Sequence, residues 1–203
     1  MCQFPVRMFD SSELFQLACV KAASNGSLVL CVTARLARRL LHVFRMGKIH
    51  LQVSAWETPH IRSFGGWIHE TFESLWERRI PLSIYSSQCL WHEAVAGIKA
   101  PAGFDIQPSL YRDFQLAFDA LQTMDVEPAA AESGYELPDF RRACTGSFLK
   151  LIEAHELISW ADMIQAVVDA LLHKRLQIPG SIILAGFDNF SPLENRLVSV
   201  LQD

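Results

Sequence analysis

Two short apolar runs stand out in a chain whose apolar residues are otherwise spaced as in helices. Residues 28–32 (Leu-Val-Leu-Cys-Val) and 182–185 (Ile-Ile-Leu-Ala) are continuously apolar, each follows a serine, and both are too short for buried helices. Continuous apolar runs of this length are typical of strands covered on both faces of a parallel sheet. The pattern therefore predicts two buried parallel strands, and we place the first at the centre of the sheet.

Most of the remaining chain has apolar residues three and four positions apart, which predicts helices. The run Asp10-Ser11-Ser12-Glu13 offers N-cap residues for the first helix, and Thr33 can cap the second, whose expected end is Gly47. Ser191 with Glu194 forms a capping box around Pro192. Residues 49–63 are expected to be a strand or an extended loop. The predicted helices are residues 11–24, 33–47, 64–79, 86–98, 108–124, 138–154 and 159–176, and one more that begins after Ser191.

Two apolar strands separated by about 150 mostly helical residues predict an α/β fold, with a small parallel sheet and a large α-helical insertion. Helix should exceed strand several-fold. We assign residues 1–80 and 179–203 to the α/β part and residues 81–178 to the insertion. Residues 126–134 are acidic, small and rich in Pro and Gly, so we expect a mobile linker there. The sequence ends inside the last predicted helix, so we expect a segment of a longer protein.

Charge and cysteine content narrow the possible functions. There are 18 Lys and Arg residues against 22 Asp and Glu residues, a net charge of −4, which excludes a globally basic nucleic-acid binder but leaves room for a local basic patch. The five cysteines are odd in number and far apart, which favours reduced core thiols over a zinc site. No apolar run approaches the ~18 residues of a membrane span, and no signal-peptide core follows Met1. We expect a cytoplasmic protein with no membrane partner.

The loop after the first strand is the first candidate for chemistry. A phosphate-binding loop needs glycines after a strand and a Lys at the helix start, whereas this loop is Thr33-Ala34-Arg35. Nucleotide hydrolysis is therefore not expected. Arg35, Arg38 and Arg39 lie at i, i+3 and i+4 on the first helical turns. Spacing alone leaves two interpretations open: contact with a nucleic-acid phosphate, or a solvated basic helix face.

Three tryptophans, Trp67, Trp76 and Trp91, suggest either base stacking or core packing. Helical periodicity already places them among apolar neighbours, which favours the core. No two histidines have the i, i+4 spacing of a zinc-binding helix, and no Ser-His-Asp assignment follows from spacing. We expect no metal site and no cofactor.

Four segments in the right order carry a resemblance to a known family. They contain Arg35-Leu-Ala-Arg-Arg-Leu40 after the first strand and the run Gly186-Phe-Asp-Asn-Phe-Ser-Pro192 after the second. The chain resembles the N-terminal segment of the bacterial "probable DNA repair protein" family, which is related to the AddB-like and RecC-like nuclease subunits. The segments are 28–40, Trp56–Trp67, Ser86–Glu93 and Ile182–Pro192.

The resemblance implies a degenerate P-loop NTPase fold, as in the first domain of a helicase. In an active helicase the loop after the first strand would hold phosphate, and acidic residues after the second strand would hold magnesium. Here the corresponding positions are Ala34 in the first loop and Ala185 and Gly186 after the second strand, while Asp188 lies beyond them. The resemblance thus implies a degenerate nucleotide site.

The function implied by the resemblance is an ATPase-inactive scaffold of a DNA repair exonuclease, partnered by an ATP-dependent helicase–nuclease subunit. The family's PD-(D/E)xK nuclease lies at its far C-terminus, outside these residues, so this segment is not expected to be catalytic. Two alternatives stay open: a docking module without DNA contact, and a nucleotide-binding enzyme with an unusual loop. The residues expected to hold DNA are Thr33, Arg35, Arg38, Arg39 and Arg62.

Overall fold

The computed structural model describes residues 11–124, 136–177 and 180–202. The helices in these ranges are α1 (Ser12–Ser24), α2 (Ala34–His50), α3 (Phe64–Ser74), α4 (Ile84–Ala96), α5 (Pro108–Thr123), α6 (Glu136–Ala154), α7 (Trp160–Leu172) and α8 (Pro192–Val200). The strands are β1 (Leu28–Cys31), β2 (Ile61–Ser63), β3 (Ile80–Pro81), β4 (Leu157–Ile158) and β5 (Ile182–Ala185). The chain is helix-dominated α/β, as the sequence predicted, and it contains two small parallel sheets in the described residues where the sequence predicted one. The mobile linker expected at 126–134 lies outside the described residues.

The chain forms two compact units. The described residues of the first are 11–74, 167–177, 180–190 and 198–202, and those of the second are 75–124, 136–166 and 191–197. The first unit contains a three-stranded parallel sheet in the order β2-β1-β5, and the second contains the parallel pair β3-β4.

Strand β1 lies at the centre of the larger sheet, which confirms the prediction for residues 28–31. Val32 was expected to belong to the buried strand, but it lies beyond β1 and is 44% exposed. All four residues of β1 are buried, since β2 and β5 pair with it on its two sides. In the register of the sheet, Val29 pairs with Ile61 and with Ile183. Strand β5 was also expected to be buried, but only Ala185 is; Ile182, Ile183 and Leu184 are half-buried. Within the described chain β5 has a strand neighbour on one side only, so it is more open than β1.

The predicted starts of α1, α2 and α8 are confirmed, because a side chain caps the first turn of each. Ser11 Oγ accepts a hydrogen bond from the Leu14 amide at 3.3 Å, and Thr33 Oγ1 accepts one from the Leu36 amide at 3.2 Å. In the capping box, the Ser191 amide donates to Glu194 Oε2 at 2.9 Å and the Glu194 amide donates to Ser191 Oγ at 3.3 Å. The predicted start of α4 at Ser86 is wrong: the helix begins at Ile84, and Ser83 Oγ caps it by accepting from the Ser86 amide at 3.0 Å.

The expected end of the second helix at Gly47 is wrong, because α2 continues to His50. The helix ends in a Schellman motif, in which the Val53 amide donates to the Lys48 carbonyl at 3.1 Å and the Gln52 amide to the Ile49 carbonyl at 2.9 Å. Gln52 occupies the left-handed position, with φ of 55°, that glycine usually takes. The predicted strand or loop at 49–53 is therefore the last helical turn and its cap.

The third predicted helix is also wrong at its end, since α3 stops at Ser74 rather than near Arg79. Trp76 adopts a left-handed φ of 54°, which terminates the helix. Its side chain is 93% exposed, so the predicted core packing of Trp76 is wrong, whereas Trp67 and Trp91 are buried as predicted.

Aromatic packing holds the core of the second unit. The Trp91 ring stacks on Phe148 with centroids 3.9 Å apart and contacts Phe118 edge-on at 6.0 Å. These rings come from α4, α5 and α6 and lie in one buried cluster together with Cys144. A polar side chain, Gln115, is built into the same core: its Oε1 accepts hydrogen bonds from Ser87 Oγ and, at 2.7 Å, from Trp91 Nε1.

The buried thiols expected from the sequence are found at Cys19, Cys31 and Cys144. Burial raises the pKa of Cys31 to about 12 and that of Cys144 to about 11, which keeps both thiols protonated near neutral pH. Cys89 is exposed, contrary to expectation, and Cys2 lies outside the described residues. None of the described helices is both long enough and apolar enough to cross a membrane.

Candidate nucleic-acid interface

The carboxyl ends of β1, β2 and β5 meet at one edge of the larger sheet, because the three strands are parallel. Cys31 and Ala185 are register partners, and the Val32 amide donates to the Ala185 carbonyl at 3.0 Å. The short loop of Val32 and Thr33, which leads to the first residue of α2 at Ala34, therefore starts beside the turn at Gly186. Asp188 is exposed and lies two residues beyond that turn.

Gly186 is packed tightly against the residues that follow β1. It has a left-handed φ of 78°, and a Cβ at this position would lie 2.9 Å from Leu36 Cδ2 and 3.3 Å from Val32 Cγ1. These contacts place apolar side chains directly against the strand end. A phosphate-binding loop instead surrounds its ligand with open backbone amides at this edge of a sheet.

Aromatic rings cover the same edge of the sheet. Phe64 follows β2, Phe187 follows β5, and their ring centroids are 5.5 Å apart in an edge-to-face contact. Phe190 stacks on Phe187 with ring centroids 4.7 Å apart. The rings of this aromatic cluster follow the carboxyl ends of β2 and β5, the two strands on either side of β1, and they make this edge of the sheet apolar. An apolar environment disfavours a triphosphate and its metal ion. Sequence reasoning missed the cluster, although the aromatic residues in Gly186-Phe-Asp-Asn-Phe190 were a signal for it.

Arg35, Arg38 and Arg39 project from the first turns of α2, and all three are exposed. Arg38 Nε donates to the Ala34 carbonyl at 3.3 Å. Within the described ranges no carboxylate forms an ion pair with any of the three arginines. Thr33 acts as the N-cap of this helix, so its hydroxyl oxygen already accepts a backbone hydrogen bond. The structure thus brings Thr33 and these arginines together at one end of α2.

Arg62 stands apart from this group because it has an acidic partner. Its Nε donates to Glu70 Oε2 at 3.0 Å, and its Nη1 donates to the Ile61 carbonyl at 3.2 Å. The side chain of Arg62 is 37% exposed, and the carboxylate offsets its charge. Sequence reasoning missed this pair, since Arg62 lies on β2 and Glu70 is eight residues away on α3.

Two further cationic candidates on α2, His42 and Arg45, were also missed. Both are exposed and lie one and two turns beyond Arg38, on the same side of the helix. The sequence contained a signal for them, because the helical spacing that starts at Arg35 continues to His42 at i+7 and to Arg45 at i+10. Lys48 differs from them, because it is half-buried with its Nζ 5.3 Å from the centroid of the Phe44 ring.

Among the residues that the structure describes, no group of three or more His, Cys, Asp or Glu side chains is arranged to hold a metal ion. No model of a known protein family matches the chain, and no curated protein matches it either. The function of the chain is therefore inferred from the geometry of the sheet edge and of α2.

Proposed function

We propose that the chain is an ATPase-inactive, helicase-like domain of a DNA repair exonuclease, and that it holds the DNA backbone through Arg35, Arg38 and Arg39 at the start of α2. The observation that carries the proposal is the exposed, carboxylate-free basic face of α2 beside a strand edge that apolar side chains line. The ATP-driven step then belongs to a separate helicase–nuclease subunit, which would be the protein partner of this domain.

Two structural features support a helicase-like origin. A central buried strand leads through a Thr-capped loop into a helix, and a second parallel strand ends beside that loop. In P-loop proteins this edge of the sheet binds the nucleotide. In this chain Leu36, Val32 and the Phe64–Phe187 pair occupy the edge instead, which supports loss of ATP binding.

The loss of nucleotide binding is tested by thermal unfolding in the presence of ATP and magnesium. A ligand at a hundred times its Kd stabilises the folded state by about 2.7 kcal/mol, which raises Tm by several degrees. We expect no change in Tm at millimolar ATP with magnesium. A dose-dependent rise would contradict the proposal and favour the nucleotide-binding alternative.

DNA binding is tested by fluorescence anisotropy of the full chain with single-stranded and blunt-ended duplex DNA, at ~50 and ~200 mM salt. We expect salt-sensitive binding. The double charge reversal Arg35→Glu with Arg38→Glu should weaken binding and reduce the slope of log affinity against log salt by about two units. The matched control is Arg112→Glu, which reverses an exposed charge on α5. Unchanged affinity in the double variant would refute the DNA role.

A docking module without DNA contact is the second candidate, and exposed apolar residues of the second unit favour it. Trp76, Ile80, Ile84 and Tyr85 are all more than 60% exposed, and large apolar side chains of this kind are common at protein interfaces. Co-purification with a helicase-like subunit, combined with no DNA binding by the full chain at either salt concentration, would favour this function over the first.

A further inference from the structure

The exposed side of α2 is basic well beyond its first turns. The buried residues of the helix are Ala37, Leu40 and Phe44, and the opposite side carries a row of exposed cationic or ionisable side chains. We call this row the α2 stripe; it consists of Arg35, Arg38, Arg39, His42 and Arg45.

The charges of the α2 stripe are uncompensated. The helix has no Asp or Glu between residues 34 and 50. Within the described part of the chain, none of the four arginines of the stripe forms an ion pair, whereas Arg62, Arg78, Arg79 and Arg142 each pair with a carboxylate. Arg112, Arg141, Arg175 and Arg196 likewise form no ion pair within the described residues, so what distinguishes the stripe is the grouping of its charges on one helix that has no carboxylate of its own.

The arrangement of the stripe opposes the stability of the free helix. Cationic residues in the first turn interact unfavourably with the positive end of the helix dipole, and α2 has no acidic residue in that turn. Like charges at i, i+4, as at Arg35 and Arg39, also repel each other. A polyanion along the stripe would relieve both effects, so the stripe is suited to binding one.

We infer that the DNA backbone runs along the length of α2, so that Arg45 and His42 contact phosphates in addition to the three arginines at its start. This inference rests on the proposed function and extends its site. From Arg35 to Arg45 the helix rises about 15 Å. The backbone of a DNA strand winds around the axis, so its phosphates are farther apart than the axial rise of 3.4 Å per nucleotide, and a length of about 15 Å spans more than one of them. The side chains contact the backbone, and the binding is independent of base sequence.

The test compares single neutral variants of the full chain in salt titrations with duplex DNA. Each lost phosphate contact should reduce the slope of log affinity against log salt by about 0.9. We expect Arg45→Gln and Arg35→Gln to reduce the slope by similar amounts. Arg112→Gln on α5 is the matched control and should leave the slope unchanged. Gln has a helix propensity close to that of Arg, and a cooperative thermal transition with a Tm no lower than that of the wild type would show that each variant is folded.

The outcomes separate this inference from the proposed function. The inference is supported if Arg45→Gln and Arg35→Gln reduce the slope of log affinity against log salt equally, and if the same result is obtained with a second DNA of unrelated sequence. If Arg35→Gln weakens binding while Arg45→Gln behaves like Arg112→Gln, the contact is confined to the start of α2; the inference then fails and the proposed function stands. If the wild-type chain shows no salt-dependent binding, both fail.

Discussion

Arg35 occupies a position where its charge and the helix dipole oppose each other. It lies in the first turn of α2, two residues after the N-cap Thr33, and it is exposed. A binding role accounts for a cation at a position where stability alone would favour Asp or Glu. The same residue therefore contributes in opposite directions to folding and to the proposed DNA contact.

Replacing Arg35 with Glu should stabilise the free protein while weakening DNA binding. The acidic side chain interacts favourably with the helix N-terminus, so we expect the free energy of unfolding to rise by about 0.3–1 kcal/mol. Chemical denaturation measures this change, and anisotropy with DNA measures the loss of affinity. Arg35→Gln should give a smaller change of the same sign in both measurements. A loss of stability in Arg35→Glu would show that the arginine makes a structural contact.

Position 186 favours glycine for two reasons: its backbone is left-handed, and neighbouring side chains leave little room for a Cβ. We expect Gly186→Ala to lower the free energy of unfolding by about 1–3 kcal/mol, because the new Cβ would face Leu36 Cδ2 at 2.9 Å on a left-handed backbone. Gly47→Ala is the control in the same unit. Gly47 lies inside α2, and a Cβ added there would meet no atom within 4 Å beyond the backbone of its own helix, so alanine should stabilise by about 0.5–1 kcal/mol. Equal effects at the two sites would contradict the packing described at Gly186.

At the scale of elements, the sequence predicts what is local and misses what depends on an unusual residue or a distant partner. The N-caps of α1 and α2 and the capping box at Ser191 are short local patterns, so they are readable. The ends of α2 and α3 are not readable, because Gln52 and Trp76 take left-handed positions that normally hold glycine.

The features of the candidate site that could not be predicted from the sequence depend on contacts between different secondary-structure elements. Arg62 could be named from the sequence as a cation, but its pairing with Glu70 depends on how α3 packs after β2. The contact between Phe64 and Phe187 joins residues that are far apart in the chain. The sequence supplies the residue types of a site, while the fold decides which charges are left free.

The contact between α4 and α5 contains an ionisable group whose effect on stability depends on pH. Gln115 accepts from Trp91 through Oε1 and donates through Nε2 to Asp119 Oδ1 at 2.8 Å. Burial raises the pKa of Asp119, and the hydrogen bond from Gln115 lowers it to a smaller extent. The carboxylate is thus held in an environment that favours its neutral form.

Asp119→Asn should therefore raise the free energy of unfolding at neutral pH, because the amide oxygen can still accept from Gln115 without the burial of a charge. The folded-state pKa of Asp119 lies above its unfolded-state value, so the wild type gains stability as pH falls through the folded-state pKa. The difference in the free energy of unfolding between variant and wild type should shrink as pH falls through the folded-state pKa, and it should vanish below both pKa values. Denaturant titrations at several pH values measure it; a constant difference across pH would contradict the assignment to Asp119.

At the scale of the whole molecule, the reactivity of the cysteines can show whether the core of each compact unit is closed, because each core contains at least one buried cysteine. Cys19 and Cys31 are buried in the core of the first unit, and Cys144 is buried among the aromatic rings of the second. Cys89 is exposed on α4. One chemical probe thus distinguishes the surface from both cores.

We expect a thiol reagent to modify Cys89 rapidly in the native protein and to leave Cys19, Cys31 and Cys144 unmodified until the chain unfolds. The reason is both steric and electronic, since burial excludes the reagent and raises the pKa of each of these three thiols, so little thiolate forms. The measurement is made on Cys2→Ser, with Cys2→Ser/Cys89→Ser as the control that should show no rapid reaction. Peptide mapping assigns each modified residue. Rapid modification of Cys144 alone would show that the core of the second unit opens readily. Rapid modification of Cys19 or Cys31 would show the same for the core of the first unit.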